Sequence, residues 1–178
     1  MTTTRRIAGR SGFARAARGG VAASAAAILV ALLVALSSGC PYVDDGAAWV
    51  DETHQASTRA DALVRRGDRE GARRELRAIV ELETPESIAA PDRRIVVQDA
   101  TFRLAELDLG DGHADAAIQW AERGLGLGQS EDVFTANLLV VRGRARETLG
   151  RDREAADDFY RALRINEALL RRALGDEG

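Results

Sequence analysis

The spacing of apolar residues is the feature that most constrains the fold of this chain. In residues 47–66, apolar or small residues recur at steps of four, three, four and three, at Trp49, Thr53, Ala56, Ala60 and Leu63. This period places them on one face of an α-helix. Similar stripes continue to residue 174, and no segment alternates with the two-residue period of a strand. The sequence therefore predicts an all-α fold with six helices, at residues 47–66, 68–84, 92–109, 113–125, 131–149 and 152–174.

A five-position pattern recurs three times, each time across a helix–turn–helix. A Gly is followed five residues later by an Ala, then by a core residue, and then by a pair of small or apolar residues. The Gly permits a tight turn, the Ala permits close approach of two helices, and the later residues fill the space between them. The copies are Gly67, Ala72, Leu76, Ile79 and Val80; Gly112, Ala117, Ala121, Gly124 and Leu125; and Gly150, Ala155, Phe159, Ala162 and Leu163.

Two stretches of this pattern, LGRDREAADDFYRALRI at 149–165 and GHADAAIQWAERGLGL at 112–127, resemble the tetratricopeptide repeat (TPR). The resemblance extends over about residues 53–166. It implies a TPR-like stack of about three antiparallel helical hairpins, an α-solenoid formed by residues 47–174. The alternative is a six-helix bundle without repeats.

The chain departs from the family in spacing and at two positions. The copies lie 45 and 38 residues apart, counted between their glycines, instead of the roughly 34 residues of the family. Asp108 and Arg146 stand where the family prefers an aromatic residue.

The first 40 residues differ in composition from the rest. Residues 1–39 contain five Arg and no acid, and an uncharged apolar run extends from Val21 to Leu36. A basic start, a short apolar run and small residues before a cleavage point are typical of a secretory signal peptide. An uncleaved membrane anchor and a twin-arginine export signal at Arg5-Arg6 are the alternatives.

The end of this segment, Leu36-Ser37-Ser38-Gly39-Cys40, resembles a bacterial lipoprotein signal, although the Leu stands four residues before the Cys and not three. The resemblance implies that residues 1–39 are removed and that Cys40 becomes a lipidated N-terminus. Residues 40–46 would then form a short tether to the helical domain, and the lipid would hold the protein at a membrane.

Composition excludes several kinds of chemistry. All 25 basic residues are Arg, so no site that depends on a lysine can be built. One Cys and two His cannot form a four-ligand Cys/His zinc site. Residues 40–178 hold 20 Arg and 28 acids, a net charge of −8, which argues against nucleic acid as a partner. We predict no catalytic residue, no metal, no cofactor and no nucleic acid, so the chain is not expected to be an enzyme.

The TPR resemblance implies a concave face lined by the first helix of each hairpin, where such proteins hold peptides or partner domains. The exposed polar positions of those helices are the candidate partner-binding residues, namely His54, Ser57, Asp61, Arg65, Arg103, Glu106, Asn137, Arg144 and Glu147. The remaining charges are expected to be solvated, including Arg73, Arg74 and Arg77, which face away from the apolar stripe, and the pair Asp157-Asp158.

The chain is therefore similar to small TPR lipoproteins that serve envelope machines. The function expected from this resemblance is that of an adaptor or scaffold that binds protein partners in the cell envelope. The lipid on Cys40 would anchor it at the periplasmic face of the outer membrane. The alternative is a structural subunit of a larger envelope, motility or secretion machine, without a free peptide groove.

Overall fold

A computed structural model describes residues 45–175, which form six α-helices and no strand. The predicted all-α class is therefore confirmed, and the predicted helix limits agree with the observed ones within three residues. The predicted signal peptide and Cys40 lie outside the described residues. The helices are α1 (Asp45–Arg65), α2 (Arg69–Glu81), α3 (Ala90–Gly110), α4 (Ala114–Gly126), α5 (Val133–Thr148) and α6 (Asp152–Leu174).

The helix termini follow from local sequence. Asp68 accepts a hydrogen bond from the backbone N–H of Gly71 at 2.8 Å, and Asp132 accepts one from the N–H of Thr135 at 2.9 Å. These side chains satisfy free N–H groups at the starts of α2 and α5. α1 begins at Asp45, so the last two residues of the predicted tether are helical instead.

The three turns that begin the repeated pattern have one geometry. Gly67, Gly112 and Gly150 all adopt left-handed backbone angles, with φ of 80°, 82° and 72°. In each turn the residue after the Gly donates its N–H to a carbonyl five residues earlier, which is the Schellman ending of a helix. These bonds are Asp68 N to Leu63 O at 2.9 Å, His113 N to Asp108 O at 2.8 Å and Arg151 N to Arg146 O at 2.8 Å.

The alanines of the pattern occupy equivalent positions. Ala72, Ala117 and Ala155 are all buried where two successive helices meet. The last position differs, because Leu163 is 54% exposed whereas its counterparts are buried. The expectation that Leu163 helps to fill the space between two helices is therefore wrong. No helix follows α6 in the described part of the chain to cover this face.

Each helix packs against the next one in sequence, and α3 also packs against α5. The buried apolar residues form two clusters. The first cluster joins α1, α2 and α3, and the second joins α4, α5 and α6 with Ala105 of α3. Trp120 of α4 packs against both clusters. Among residues 45–175, no helix combines the length and the apolar content that crossing a membrane requires.

A buried ion pair joins α2 to α3. Arg73 donates its Nε to Asp108 Oδ1 at 2.7 Å, and it also contacts Asp111. Trp120 Nε1 donates to the other oxygen of Asp108 at 3.1 Å. The prediction that Arg73 faces solvent is therefore wrong, because a carboxylate buried on α3 attracts it inward.

A second buried group joins α5 to α6. Asp158 accepts hydrogen bonds from Arg142 Nε at 2.9 Å, Arg142 Nη2 at 2.6 Å and Arg146 Nη1 at 2.7 Å. The prediction that Asp158 is solvated is also wrong, since two guanidinium groups compensate its burial. Its neighbour Asp157 is exposed as predicted. Arg146, which stands where the TPR family prefers an aromatic residue, therefore takes part in this ion-pair network.

Candidate partner-binding groove

An open groove runs between the first half of α1 and the first half of α3. We call it the α1–α3 groove. It has a volume of about 350 Å³ and is lined by Val50, Thr53, His54, Ser57, Ile79, Ile95, Val96, Asp99 and Phe134. Its surface is mainly apolar, and a few polar groups stand among the apolar side chains. Sites that bind ligands or peptides commonly have this composition.

The groove continues toward the start of α1. A second hollow of about 520 Å³ shares Val50 and His54 with it and is otherwise lined by Gly46, Ala47, Asp51, Ser87 and Ile88. Ser87 and Ile88 lie in the connection between α2 and α3. From Gly46 to Ser57 the combined surface follows about 16 Å of α1, at the helical rise per residue.

Arg103 closes the other end of the groove. Its guanidinium donates to Ser57 Oγ at 2.7 Å and contacts the Asp61 carboxylate, so it links α3 to α1. Asp99, one turn earlier on α3, lies 3.8 Å from the same guanidinium. Three of the predicted partner-binding residues, Ser57, Asp61 and Arg103, are thus brought together.

The electrostatic setting of Asp99 differs from that of an ordinary surface acid. Burial raises the pKa of the Asp99 carboxyl, and the neighbouring charge of Asp61 raises it further. Arg103 acts in the opposite direction but does not cancel these effects. The Asp99 side chain is 47% exposed, so its carboxylate keeps part of its contact with water and loses the rest beside the apolar residues of the groove.

The polar surface extends from α3 to α5. Arg144 of α5 donates to Glu106 of α3 at 2.7 Å, and both side chains are largely exposed. Charged residues of α1, α3 and α5 therefore form two bridges in succession. The first is Asp61–Arg103 and the second is Glu106–Arg144.

The other predicted residues occupy different positions. Arg65 and Glu147 are exposed at the C-terminal ends of α1 and α5, and Asn137 is half-buried on α5. None of these three is among the residues that line the α1–α3 groove. His54 lies in the groove lining, as expected for a residue of the first helix.

The sequence did not identify the apolar lining. Val50 directly follows the stripe residue Trp49, and neither Val96 nor Phe134 belongs to the repeated pattern. One apolar residue beside the apolar stripe of a helix is weak evidence for a binding surface. Two such residues, Val50 on α1 and Val96 on α3, would have indicated this groove, because both helices were expected to line the same concave face. Asp99 was missed because its surroundings come from α1 and α5.

Within 45–175, no three His, Cys, Asp or Glu side chains are grouped so that they could hold a metal ion. His54 lies on α1 and His113 lies just before α4. Comparison with family models, curated proteins and solved structures finds no match to this chain.

Proposed function

We propose that this protein is an exported, lipid-anchored, TPR-like adaptor that binds a protein partner in the bacterial cell envelope. In this proposal the lipid on Cys40 holds it at the periplasmic face of the outer membrane. The helical domain catalyses nothing and uses no cofactor. Its task is to present a binding surface to a partner near the membrane.

Repetition of geometry supports the TPR-like part of the proposal. The three Gly turns share one backbone conformation and one hydrogen-bond pattern, and a buried Ala follows each at the same distance. The packing of α3 against α5 fits a stack in which the first helices of the second and third hairpins are neighbours.

The observation that carries the binding function is the arrangement of α1, α3 and α5. Polar residues chosen from sequence as one surface are linked across these helices, through Asp61–Arg103 and Glu106–Arg144. The α1–α3 groove opens beside them and is lined by apolar side chains that no other helix of the described chain covers. An apolar groove bordered by charges suits recognition of a peptide segment.

The binding proposal is tested by reversing charge on this surface. The double variant Asp61→Arg with Arg144→Glu should lose partners that the wild-type protein retains after solubilisation of membranes. A matched control on α6, Asp157→Arg with Arg153→Glu, makes the same reversals at exposed positions. Circular dichroism should show that both variants are folded. Equal partner recovery by both would contradict the proposal.

The anchoring proposal has a separate test. Intact-mass spectrometry of the membrane fraction should detect a chain that begins at Cys40 and carries added acyl mass. Because α1 begins at Asp45, only residues 41–44 would separate the lipidated residue from the domain, about 14 Å when fully extended. A membrane-bound chain that retains residues 1–39 would contradict the lipidation.

One observation favours the alternative function, that of a structural subunit. Four large apolar residues of α6 are exposed, namely Tyr160, Leu163, Leu170 and Leu174. They recur at helical spacing on one face, as in a helix that packs against another protein. In this alternative, α6 and not the groove carries the interaction.

A variant of α6 separates the two functions. Replacing Leu163 and Leu170 with Ser should leave folding nearly unchanged, because both side chains already lie in solvent. If the protein is a structural subunit, this variant should drop out of the native complex in size-exclusion chromatography of solubilised membranes. If the groove is the binding site, the variant should retain its partners.

A further inference from the structure

The chemistry of the α1–α3 groove restricts what can bind there. Its lining combines the apolar side chains Val50, Ile95, Val96 and Phe134 with the carboxylate of Asp99. A segment that fills it must bring apolar side chains, because the lining would otherwise remain in contact with water. It must also lie beside a carboxylate that is partly withdrawn from solvent.

The charges around the groove are not balanced. Asp51, Asp61 and Asp99 are carboxylates, and Arg103 is the cation that faces two of them. Arg103 makes its close contacts with Asp61 and Ser57 and lies 3.8 Å from Asp99. Asp51 accepts a hydrogen bond from the neutral side chain of Gln55 at 2.7 Å. These groups together leave an excess of negative charge on this side of the groove.

We infer that the α1–α3 groove binds a segment of a partner protein that carries apolar side chains together with a Lys or Arg, whose cation pairs with Asp99. The inference rests on the proposed function and names the chemistry of the partner. The raised pKa of the Asp99 carboxyl agrees with this inference, because the half-exposed carboxylate loses part of its hydration in the groove and Asp61 lies nearby. A cation brought by the partner would interact favourably with this carboxylate.

The size of the groove sets the length of this segment. The surface along α1 covers about 16 Å, which corresponds to about five residues of an extended chain. The apolar side chains of the segment would pack on Val50, Val96 and Phe134. The basic side chain would reach Asp99 from the solvent side. A segment with an acid at the same position would be repelled.

Selection from a random peptide library tests the inference without a known partner. The full chain in detergent micelles is used to select from a phage library of random dodecamers. Enriched sequences are expected to combine at least two apolar residues with a Lys or Arg within about five residues. A synthetic fluorescent copy of an enriched peptide then serves as the probe in anisotropy measurements.

Variants of the groove define where the peptide binds. Asp99→Asn removes the charge with little change of shape and should weaken peptide affinity by at least about tenfold, as expected for a hydrogen bond to a charged group. Val96→Ser should also weaken binding, because it removes apolar contact area. Asp157→Asn on α6 is the matched control and should bind as the wild type does. Circular dichroism checks that all three variants are folded.

Several results would overturn the inference. These are a selection that enriches no peptide, enrichment of acidic or purely apolar peptides, and equal binding of the probe to the Asp99→Asn variant. If one of these occurs while the Asp61→Arg with Arg144→Glu variant still loses its envelope partners, the adaptor function stands and only the chemistry assigned to its partner is wrong. Retention of those partners by the charge-reversed variant would instead remove the proposed function itself.

Discussion

Arg–carboxylate pairs link neighbouring helices in two regions of the molecule that differ in their access to water. In the interior, the side chains of Asp108 and Asp158 are only 7% and 2% exposed. On the surface shared by α1, α3 and α5, those of Asp61 and Glu106 are 53% and 40% exposed. The same pair of chemical groups therefore serves different purposes. The buried pairs specify how helices meet, whereas the solvated pairs can exchange partners.

The difference follows from the cost of leaving a charge without a partner. A buried carboxylate must be paired, so any arrangement of helices that separates it from its arginine is strongly disfavoured. An exposed pair loses little when it opens, because water and salt replace the partner. We expect the interior pairs to contribute stability and the exposed pairs to take part in the proposed binding, and the following predictions test this division.

The largest effect is expected for Asp158→Ala. The substitution leaves Arg142 and Arg146 without their buried acceptor, so the free energy of unfolding should fall by about 3–5 kcal/mol. Urea denaturation followed by circular dichroism measures this change. The control is Asp157→Ala one residue away, which is exposed and should alter stability by no more than about 0.5 kcal/mol. Similar losses in the two variants would remove the distinction between interior and surface.

A smaller loss is expected for Asp108→Asn. The amide keeps the shape of the side chain but weakens the bonds to Arg73 and Trp120, and a hydrogen bond to a charged group contributes about 1.5–3 kcal/mol. The free energy of unfolding should decrease within this range. The emission of Trp120 should change as well, since its indole N–H bonds directly to Asp108. An unchanged stability would show that Asp111 compensates for the lost charge on Asp108.

Acid should weaken the contact between Arg73 and Asp111. The hydrogen bond from Arg73, together with Arg69, holds the pKa of the Asp111 carboxyl below its ordinary value, although burial opposes this. Because the folded pKa is lower than the unfolded one, the stabilisation is complete above about pH 4 and is lost as the pH falls through the folded pKa.

Urea midpoints measured between about pH 5 and pH 3 test this expectation. The wild type should lose stability steadily below about pH 4, and Asp111→Asn should show a shallower decline. Asp157→Asn is the control and should follow the wild type. A steep decline in Asp111→Asn would assign the acid sensitivity to other carboxyls.

The smallest effects on stability are expected at the two exposed bridges, Asp61–Arg103 and Glu106–Arg144. Asp61→Asn and Glu106→Gln each break one exposed bridge and should change the free energy of unfolding by about 0–1 kcal/mol. Thermal melting at low and high salt measures this, and salt should reduce the difference from wild type. A loss of unfolding free energy comparable with that of Asp158→Ala would mean that these exposed bridges stabilise the fold. It would weaken the proposal that they take part in binding.

The sequence predicts the helices and turns well because these depend on neighbouring residues. The apolar period and the glycines at 67, 112 and 150 carry the required information locally. The apolar period distinguishes Asp158 from Asp157, because Asp158 lies three residues after the buried Ala155 and four before the buried Ala162, but an acid at such a position does not by itself predict burial. Burial of Asp158 is decided by arginines on α5 that approach it only after the helices pack.

The candidate site was predictable to a smaller extent. The polar positions named from the sequence lie on α1, α3 and α5, and bridges join Asp61 to Arg103 and Glu106 to Arg144, while their role in binding stays a prediction. The apolar lining was not predictable, because Val50, Val96 and Phe134 approach one another only through the packing of different helices. The exposure of Leu163 has the same origin, since its local pattern is that of a core residue.

The position of Trp120 has a consequence for how the domain unfolds. Its side chain packs against both core clusters and donates to Asp108. The guanidinium groups of Arg77 and Arg123 lie over its ring, 5.9 and 5.5 Å from the ring centre. Neither cluster can open at this residue without disturbing the other. Heat should therefore melt residues 45–175 in one cooperative transition, with equal calorimetric and van't Hoff enthalpies, instead of one hairpin at a time.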